Sequence, residues 1–427
     1  MRCERCGKPL TVHIAYSDAT EWFARHFCEA CRRYQLNLER TACGACGGRY
    51  RDFLDRGFLK CASCYDSFAP LLDPLLEQRQ GRTPGGRLQR TAPSRLARAR
   101  TEEVQEALRM GKPPQEASES DGRSDAARAA GKVAFFGQFP EELALPFENR
   151  RPGPEGRSNR EAPADGSSDG SPPQPAGPLF QEDLLLGVRF RAARNLKGVL
   201  YPTYLNPEQG RTLAGLLLGE KGPFHVNLGA DLGPAVFAGG GDLGRLKNRG
   251  LLPEAAEYAL VYPERNISLY TGDEDHVRLQ FFLARATERE FLADLQEAFL
   301  LLERLDELYD WQFHPVYGMQ TACPANSGGG LRLSFRLALP EIQRAGLLPA
   351  WERRLQAAGA EIRGAGGEGT RVQAGLLQIS NRSWPLDVAA DRTIQGLLAL
   401  LARMARKELE LRVKSPGKKS RNSGSSG

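Results

Sequence analysis

Eight of the nine cysteines lie before position 65, in four Cys-x-x-Cys pairs: Cys3/Cys6, Cys28/Cys31, Cys43/Cys46 and Cys61/Cys64. Two intervening residues let both thiolates reach one tetrahedral ion at the tip of a turn, with Zn–S distances of about 2.3 Å. Twenty-one residues separate the first pair from the second, and 14 separate the third from the fourth. That spacing suits two four-cysteine Zn2+ sites built from consecutive pairs, although interleaved pairing or ligands shared across a dimer fit it too. A redox role would need a thioredoxin-like βαβ context, which the sequence lacks. Four protein ligands leave no open position on the metal, so such sites are structural, contributing on the order of 10 kcal/mol to folding. His13 and His26 could replace a ligand, but with eight cysteines present they read as surface or packing residues.

A second concentration of reactive groups is Asp273-Glu274-Asp275-His276-Val277-Arg278. On an extended backbone Glu274, His276 and Arg278 would share one face, with Val277 and Leu279 turned into a core. A carboxylate beside a guanidinium suits a site that handles a cation and a polyanion together. Arginines recur on other apparent strands. Arg189 and Arg191 alternate with Val188 and Phe190, and Arg332 and Arg336 alternate with Leu331, Leu333, Phe335 and Leu337. Several strand-borne arginines suit planar recognition of phosphate oxygens.

The elements that must position these groups are legible in outline. Phe291, Leu295, Ala298, Phe299, Leu302 and Leu305 recur at helical spacing, and further helices are expected around residues 94–110, 342–358 and 392–411. At 427 residues the chain is too long for one ordinary domain. It divides into a double four-cysteine module (1–75), a basic, partly helical connector (76–131), an apolar island with a disordered Pro/Gly/Ser linker (132–177), an α+β domain (178–411) and a disordered tail (412–427). Seven arginines and no acid lie between Glu77 and Glu102, and Ala134–Pro140 is the apolar island. The connector lacks interleaved aromatic residues, and the net charge of +6 does not call for a nucleic-acid partner. The N-terminus has no apolar signal segment and no apolar run approaches membrane-spanning length, so the expectation is a soluble cytoplasmic protein.

The cysteine pattern followed by Phe68-Ala69-Pro70-Leu71-Leu72-Asp73-Pro74 resembles the McsA-like zinc-binding proteins over about 75 residues. In that family a helical hairpin usually follows, and residues 94–110 would be its first helix. Downstream, five segments occur in order: Arg189–Asn195, Asp273–Arg278, Cys323–Arg332, Arg363–Glu368 and Gln378–Asn381. Together they resemble the ATP:guanido phosphotransferases, most closely the McsB-type protein arginine kinases, over roughly 184–411.

The resemblance implies a catalytic domain with an antiparallel sheet flanked by helices. Its reaction would be transfer of the γ-phosphoryl of ATP, carried with Mg2+, to an arginine guanidino nitrogen in a protein. By family position Glu274 and Glu368 would hold the guanidinium and accept its proton, with Cys323 as the reactive cysteine beside it. Arg189, Arg191, Arg278, Arg332 and Arg363 would bind the nucleotide phosphates, and Gly328–Gly330 would bring backbone N–H groups to phosphate. The zinc module would act as a fused activator. Implied partners are proteins with exposed arginines, a Clp-type chaperone, and a second copy of the chain in an oligomer; the connector arginines could themselves be substrates. The chain departs from the family at Gly187-Val188 (usually serines), at Asp273 (usually Glu) and at Gly250 (usually His). The alternative is a weak or inactive pseudokinase that serves as an adaptor for a Clp-type chaperone-protease. A free-arginine or creatine-type kinase is disfavoured by the fused module.

Overall fold

The computed structural model describes residues 40–80, 92–110, 177–219, 222–224, 232, 236–239, 241–248, 252–364, 375–382 and 390–414. In chain order the elements are α1 (Tyr50–Arg56), α2 (Ser63–Ser67), α3 (Ala69–Gln80), α4 (Arg95–Met110), β1 (Leu185–Arg194), α5 (Pro207–Leu218), β2 (Val236–Gly239) and α6 (Gly241–Asn248). They continue with β3 (Tyr258–Tyr262), β4 (Ile267–Thr271), β5 (Val277–Leu283), α7 (Glu288–Leu308), β6 (Phe313–His314), β7 (Gly318–Met319), β8 (Leu331–Ala338), α8 (Pro340–Arg344), α9 (Leu348–Ala357), β9 (Ala360–Gly364), β10 (Leu376–Asn381) and α10 (Ala390–Lys414).

Among the described residues eight strands form one antiparallel sheet in the order β2-β3-β4-β5-β1-β8-β10-β9. Alternation splits its two faces. Val188, Phe190, Leu279, Phe281, Leu333, Phe335, Leu377 and Ile379 are buried against helices, α7 above all through Phe291, Leu295 and Ala298. Aromatic edges seal this layer, with Phe190 against Phe299 at 5.4 Å and Phe291 against Phe335 at 5.8 Å between ring centroids. The opposite face carries Arg189, Arg191, Arg278, Gln280, Arg332, Ser334, Arg336 and Gln378, as the alternation in β1 and β8 predicts.

α7 starts where Thr287 accepts a hydrogen bond from the Glu290 N–H, and it spans the expected helical periodicity. The single helix expected over 342–358 is instead two, α8 and α9. The chain turns between them at Gly346, whose φ of 67° lies in the left-handed region. The last helix reaches Lys414, so residues 412–414, expected in the tail, are helical; Arg412 pairs there with Glu408 and Asp183. The expected connector helix is present as α4, but it packs into the main core through Val104 and Leu108 and contacts α5 and α7. Its Thr101 hydroxyl accepts from the Asp310 N–H at 2.8 Å. Cys3, Cys6, Cys28 and Cys31, the apolar island, Glu368 and residues 415–427 lie outside the described residues.

Candidate active site and its docked zinc centre

Cys43, Cys46, Cys61 and Cys64 converge with every Sγ within 4.8 Å of the others. Sγ separations are 3.8 Å for Cys43–Cys61, 3.6 Å for Cys46–Cys64 and 3.8 Å for Cys61–Cys64. A tetrahedral Zn2+ with bonds of about 2.3 Å has edges of about 3.8 Å, which these three separations match, so the cluster suits zinc. The first knuckle closes through the Cys43 N–H on Gly48 O and the Gly47 N–H on Cys43 O, with Gly47 at φ 66°. The second runs into α2. The Cys61 thiol is lowered to about 5 because Cys64 foremost, with Cys46 and Cys43, hydrogen-bonds to its sulfur against the opposing effect of burial. Consecutive pairing is thus the arrangement of the third and fourth cysteine pairs.

This centre is seated on the sheet domain. Tyr201, Tyr317 and Ala322 join its core, which also holds Tyr50, Phe53, Leu59, Tyr65, Phe68 and Leu72. Polar contacts tie the two together. Leu59 N–H donates to Ala322 O at 2.9 Å, Tyr201 N–H to Lys60 O at 3.1 Å, Gln320 Nε2 to Ala62 O at 3.2 Å and Tyr317 OH to Asp73 Oδ1 at 2.6 Å. Nothing in the local pattern of either half announces this docking.

On the sheet, register brings the arginines together. Arg191 stands directly opposite Arg332 on β8 and opposite Gln280 on β5, while Arg189 stands opposite Ser334. Desolvation lowers the Arg189 guanidinium from its ordinary value, and the charges of Arg332 and Arg278 push the same way. Arg332 reaches Asn326 Oδ1 at 3.3 Å and lies 3.6 Å from Glu361. Arg363 is placed by its backbone on β9, opposite Gln378, its side chain lying outside the described residues.

The acidic segment departs from the extended form expected for it. Gly272 turns at φ 90°, a Cβ there would meet the Glu257 backbone nitrogen at 2.7 Å, and β5 begins only at Val277. Residues 273–276 therefore form a bend, and its side chains do not alternate. Glu274 and Arg278 still meet, Nη2 to Oε2 at 2.7 Å, while Asp275 Oδ2 takes the same Nη2 at 2.9 Å and Asp273 binds Nη1. Burial alone would lower the Arg278 guanidinium, but Asp275, Glu274 and Asp273 together raise it well above its ordinary value.

His276 does not share the face of Glu274. It is fully buried, accepts the Leu196 N–H on Nδ1 at 2.9 Å, and donates from Nε2 to Leu200 O at 2.7 Å. Burial lowers it to about 4, so it is a neutral latch between β5 and the loop after β1.

Asp275, which sequence reasoning passed over, is a junction. With no exposed surface, it accepts on Oδ1 from Asn195 Nδ2 at 2.7 Å and from the Ala322 N–H at 2.9 Å, besides holding Arg278. The loop carrying Cys323 is thereby fixed to the strand carrying Glu274. Cys323 itself is half-buried ahead of the turn Pro324–Asn326. The glycine run after it does not offer all its N–H groups: Gly328 donates to Tyr317 O at 2.8 Å, and Gly318 packs so closely that a Cβ there would lie 2.4 Å from Gly328 O. Arg194, on the same strand as Arg189 and Arg191, is committed elsewhere, in a two-pronged pair with Asp306 at 2.5 and 2.9 Å.

Residues 252–404 match the sequence profile of the ATP:guanido phosphotransferase C-terminal catalytic domain, and residues 41–84 match that of the McsA central zinc-finger domain. Among solved structures, the fold is similar to the duplicated taurocyamine kinase from Schistosoma mansoni with bound transition-state analogue components. The TM-score is 0.53 at 14% identity, over 90% of this chain and 46% of that one.

The protein-arginine kinase of Moorella thermoacetica is 30% identical over 257 residues, covering 54% of this chain and 68% of that protein. The one from Clostridium tetani is 29% identical over 244 residues, covering 55% and 69%. The chain belongs to the protein-arginine kinase family of ATP:guanido phosphotransferases, with an McsA-type zinc finger on the same polypeptide. These relatives favour an enzyme over a pseudokinase adaptor. Among the described residues no helix is long and apolar enough to cross a membrane.

Proposed function

We propose that the chain transfers the γ-phosphoryl group of Mg-ATP to arginine side chains of other proteins, and that its zinc finger supports this activity in cis. A guanidinium is cationic and a poor nucleophile, so a carboxylate must hold it, orient one nitrogen and take its proton. Glu274 has that role, with Glu368 as the second carboxylate and Cys323 alongside. Arg189, Arg191, Arg278, Arg332 and Arg363 bind the phosphates, where positioning and neutralisation of charge supply the catalysis. Mg2+, bound with the nucleotide, would offset charge on its phosphates.

The reading rests on one relationship: Arg191 stands opposite Arg332 on the polar sheet face whose next strand carries Arg278 beside Glu274. The zinc module runs to the end of α3 at Gln80 and the catalytic domain to the end of α10 at Lys414, with α4 of the segment between them packed into the catalytic core. Proteins with exposed arginines are the substrates, and a Clp-type chaperone in the cytoplasm is the downstream partner we infer from the family. The test is incubation of the full chain with Mg-ATP and an arginine-rich protein, scored for acid-labile phosphate. Labelling lost in Glu274→Ala supports the proposal; no labelling by wild type, or equal labelling by the variant, ends it.

A further inference from the structure

We propose that Tyr65, a residue of the zinc module, is a positioning residue of the phosphotransfer site, acting through the backbone of the loop that carries Cys323. The inference rests on the kinase reading above and names a residue that reading leaves out.

Residues 320–322 run between two walls. On the sheet side, Gln320 N–H donates to Gln312 O at 3.1 Å, Gln320 O accepts from Asn195 Nδ2 at 3.2 Å, and Ala322 N–H donates to Asp275 at 2.9 Å. On the module side, Leu59 N–H donates to Ala322 O, and the Tyr65 hydroxyl serves both polar groups of one residue. It donates to Thr321 O at 2.9 Å and accepts the Thr321 N–H at 3.4 Å. Thr321 and Ala322 have no exposed surface, so their backbone groups need partners from the protein. The module supplies those for Thr321 N–H, Thr321 O and Ala322 O.

Thr321 in turn donates its hydroxyl to the carbonyl of Cys323 at 2.7 Å, so the position of Thr321 passes directly to the cysteine. Tyr65 is well suited to fix it. Its side chain has no exposed surface, and a phenolic O–H both donates and accepts, as the two contacts to Thr321 require. Its ring is packed against Tyr317 at 5.1 Å, and its backbone follows the zinc ligand Cys64. The sulfur cluster, Tyr65, Thr321 and Cys323 therefore form a continuous chain from one module into the other. Asp275 holds the far side of the same loop and reaches Arg278.

The experiment compares Tyr65→Phe with Tyr317→Phe in the full, zinc-loaded chain. Tyr65→Phe keeps the ring and removes only the hydroxyl that serves Thr321. Tyr317→Phe removes the contact to Asp73 at the same interface without touching residues 320–322. Two readouts are taken: the rate at which iodoacetamide modifies Cys323, followed by peptide mass spectrometry, and kcat and KM for arginine phosphorylation. Zinc content and Tm are measured alongside.

For Tyr65→Phe the expectation is a Cys323 modification rate changed by about fivefold and kcat lowered about tenfold, with KM for ATP within about twofold and zinc content intact. Tyr317→Phe should leave Cys323 modification at the wild-type rate. Cys323 reactivity unchanged in Tyr65→Phe, or altered equally in both variants, would overturn the proposal. If the wild type phosphorylates no arginine, the kinase reading fails, and the Cys323 modification rates still decide this inference.

Discussion

Arg278 Nη2 lies 2.7 Å from Glu274 Oε2, so the carboxylate proposed to grip a substrate guanidinium already grips one of the protein's own. Asp273 and Asp275 hold the same arginine and would keep it paired if Glu274 let go. On the proposed function, nucleotide phosphates would compete for Arg278 and, in taking it, release Glu274 for the acceptor. Binding should therefore be ordered in effect. Saturating Mg-ADP is expected to tighten the binding of an arginine-containing peptide by about tenfold in titration calorimetry. Equal peptide affinity with and without nucleotide would rule this out.

Zinc removal should reach the catalytic domain. A four-sulfur site of this kind contributes on the order of 10 kcal/mol to the folding of the small module around it. Chelation, or Cys64→Ser, is expected to expose Tyr201 and Tyr317, which the module now buries. Tyrosine fluorescence and arginine phosphorylation should both change with the loss of the metal. A stripped protein of undiminished activity would remove the supporting role of the module.

Stability should depend on pH through His276. Its folded value of about 4 lies below the ordinary 6.5, so between these values the unfolded chain binds the extra proton. Stability from this group is complete above pH 6.5 and is lost as pH falls towards 4, by about 3 kcal/mol in all. Urea midpoints measured from pH 7 to pH 4 should fall in the wild type and fall less in His276→Gln. Parallel slopes would assign the acid sensitivity elsewhere.

Asp306→Ala should cost stability without weakening nucleotide binding. Arg194 is 3% exposed and Asp306 26%, so the variant leaves a buried guanidinium without its carboxylate, its Nη1 still donating to the carbonyls of Ala193 and Gly329. The expected loss is about 3 kcal/mol, from the low end for breaking a buried pair. Denaturation gives the first quantity and Mg-ADP titration the second. A fall in nucleotide affinity larger than the loss of folded protein would mean that Arg194 works in the site.

What sequence alone could convey followed from how local each signal is. Alternation in β1 and β8 correctly assigned Arg189, Arg191, Arg332 and Arg336 to one face, because strand periodicity needs no knowledge of neighbours. The third and fourth cysteine pairs were likewise legible from their spacing. The bend at Gly272 was not, since it is set by the close approach of Glu257, and with it the burial of His276 went unseen. The roles of Asp275 and Tyr65 were hidden for the same reason. Their partners, Ala322 and Thr321, lie 47 and 256 residues away in the chain.

The strand order carries a consequence for synthesis on the ribosome. β1 occupies the middle of the sheet, yet both of its neighbours, β5 and β8, are translated long after it. From the emergence of Arg194 until residue 283 has left the exit tunnel, β1 has neither edge paired, and its second edge stays open until residue 338. A nascent chain in that interval presents an apolar strand with free hydrogen-bonding groups, the kind of surface that pairs wrongly with other chains. The cysteine knuckles at 43–64 emerge earlier and close over short range, so the centre can take up metal while the sheet is still incomplete. The metal knuckles can thus close before the loop they later meet has been made.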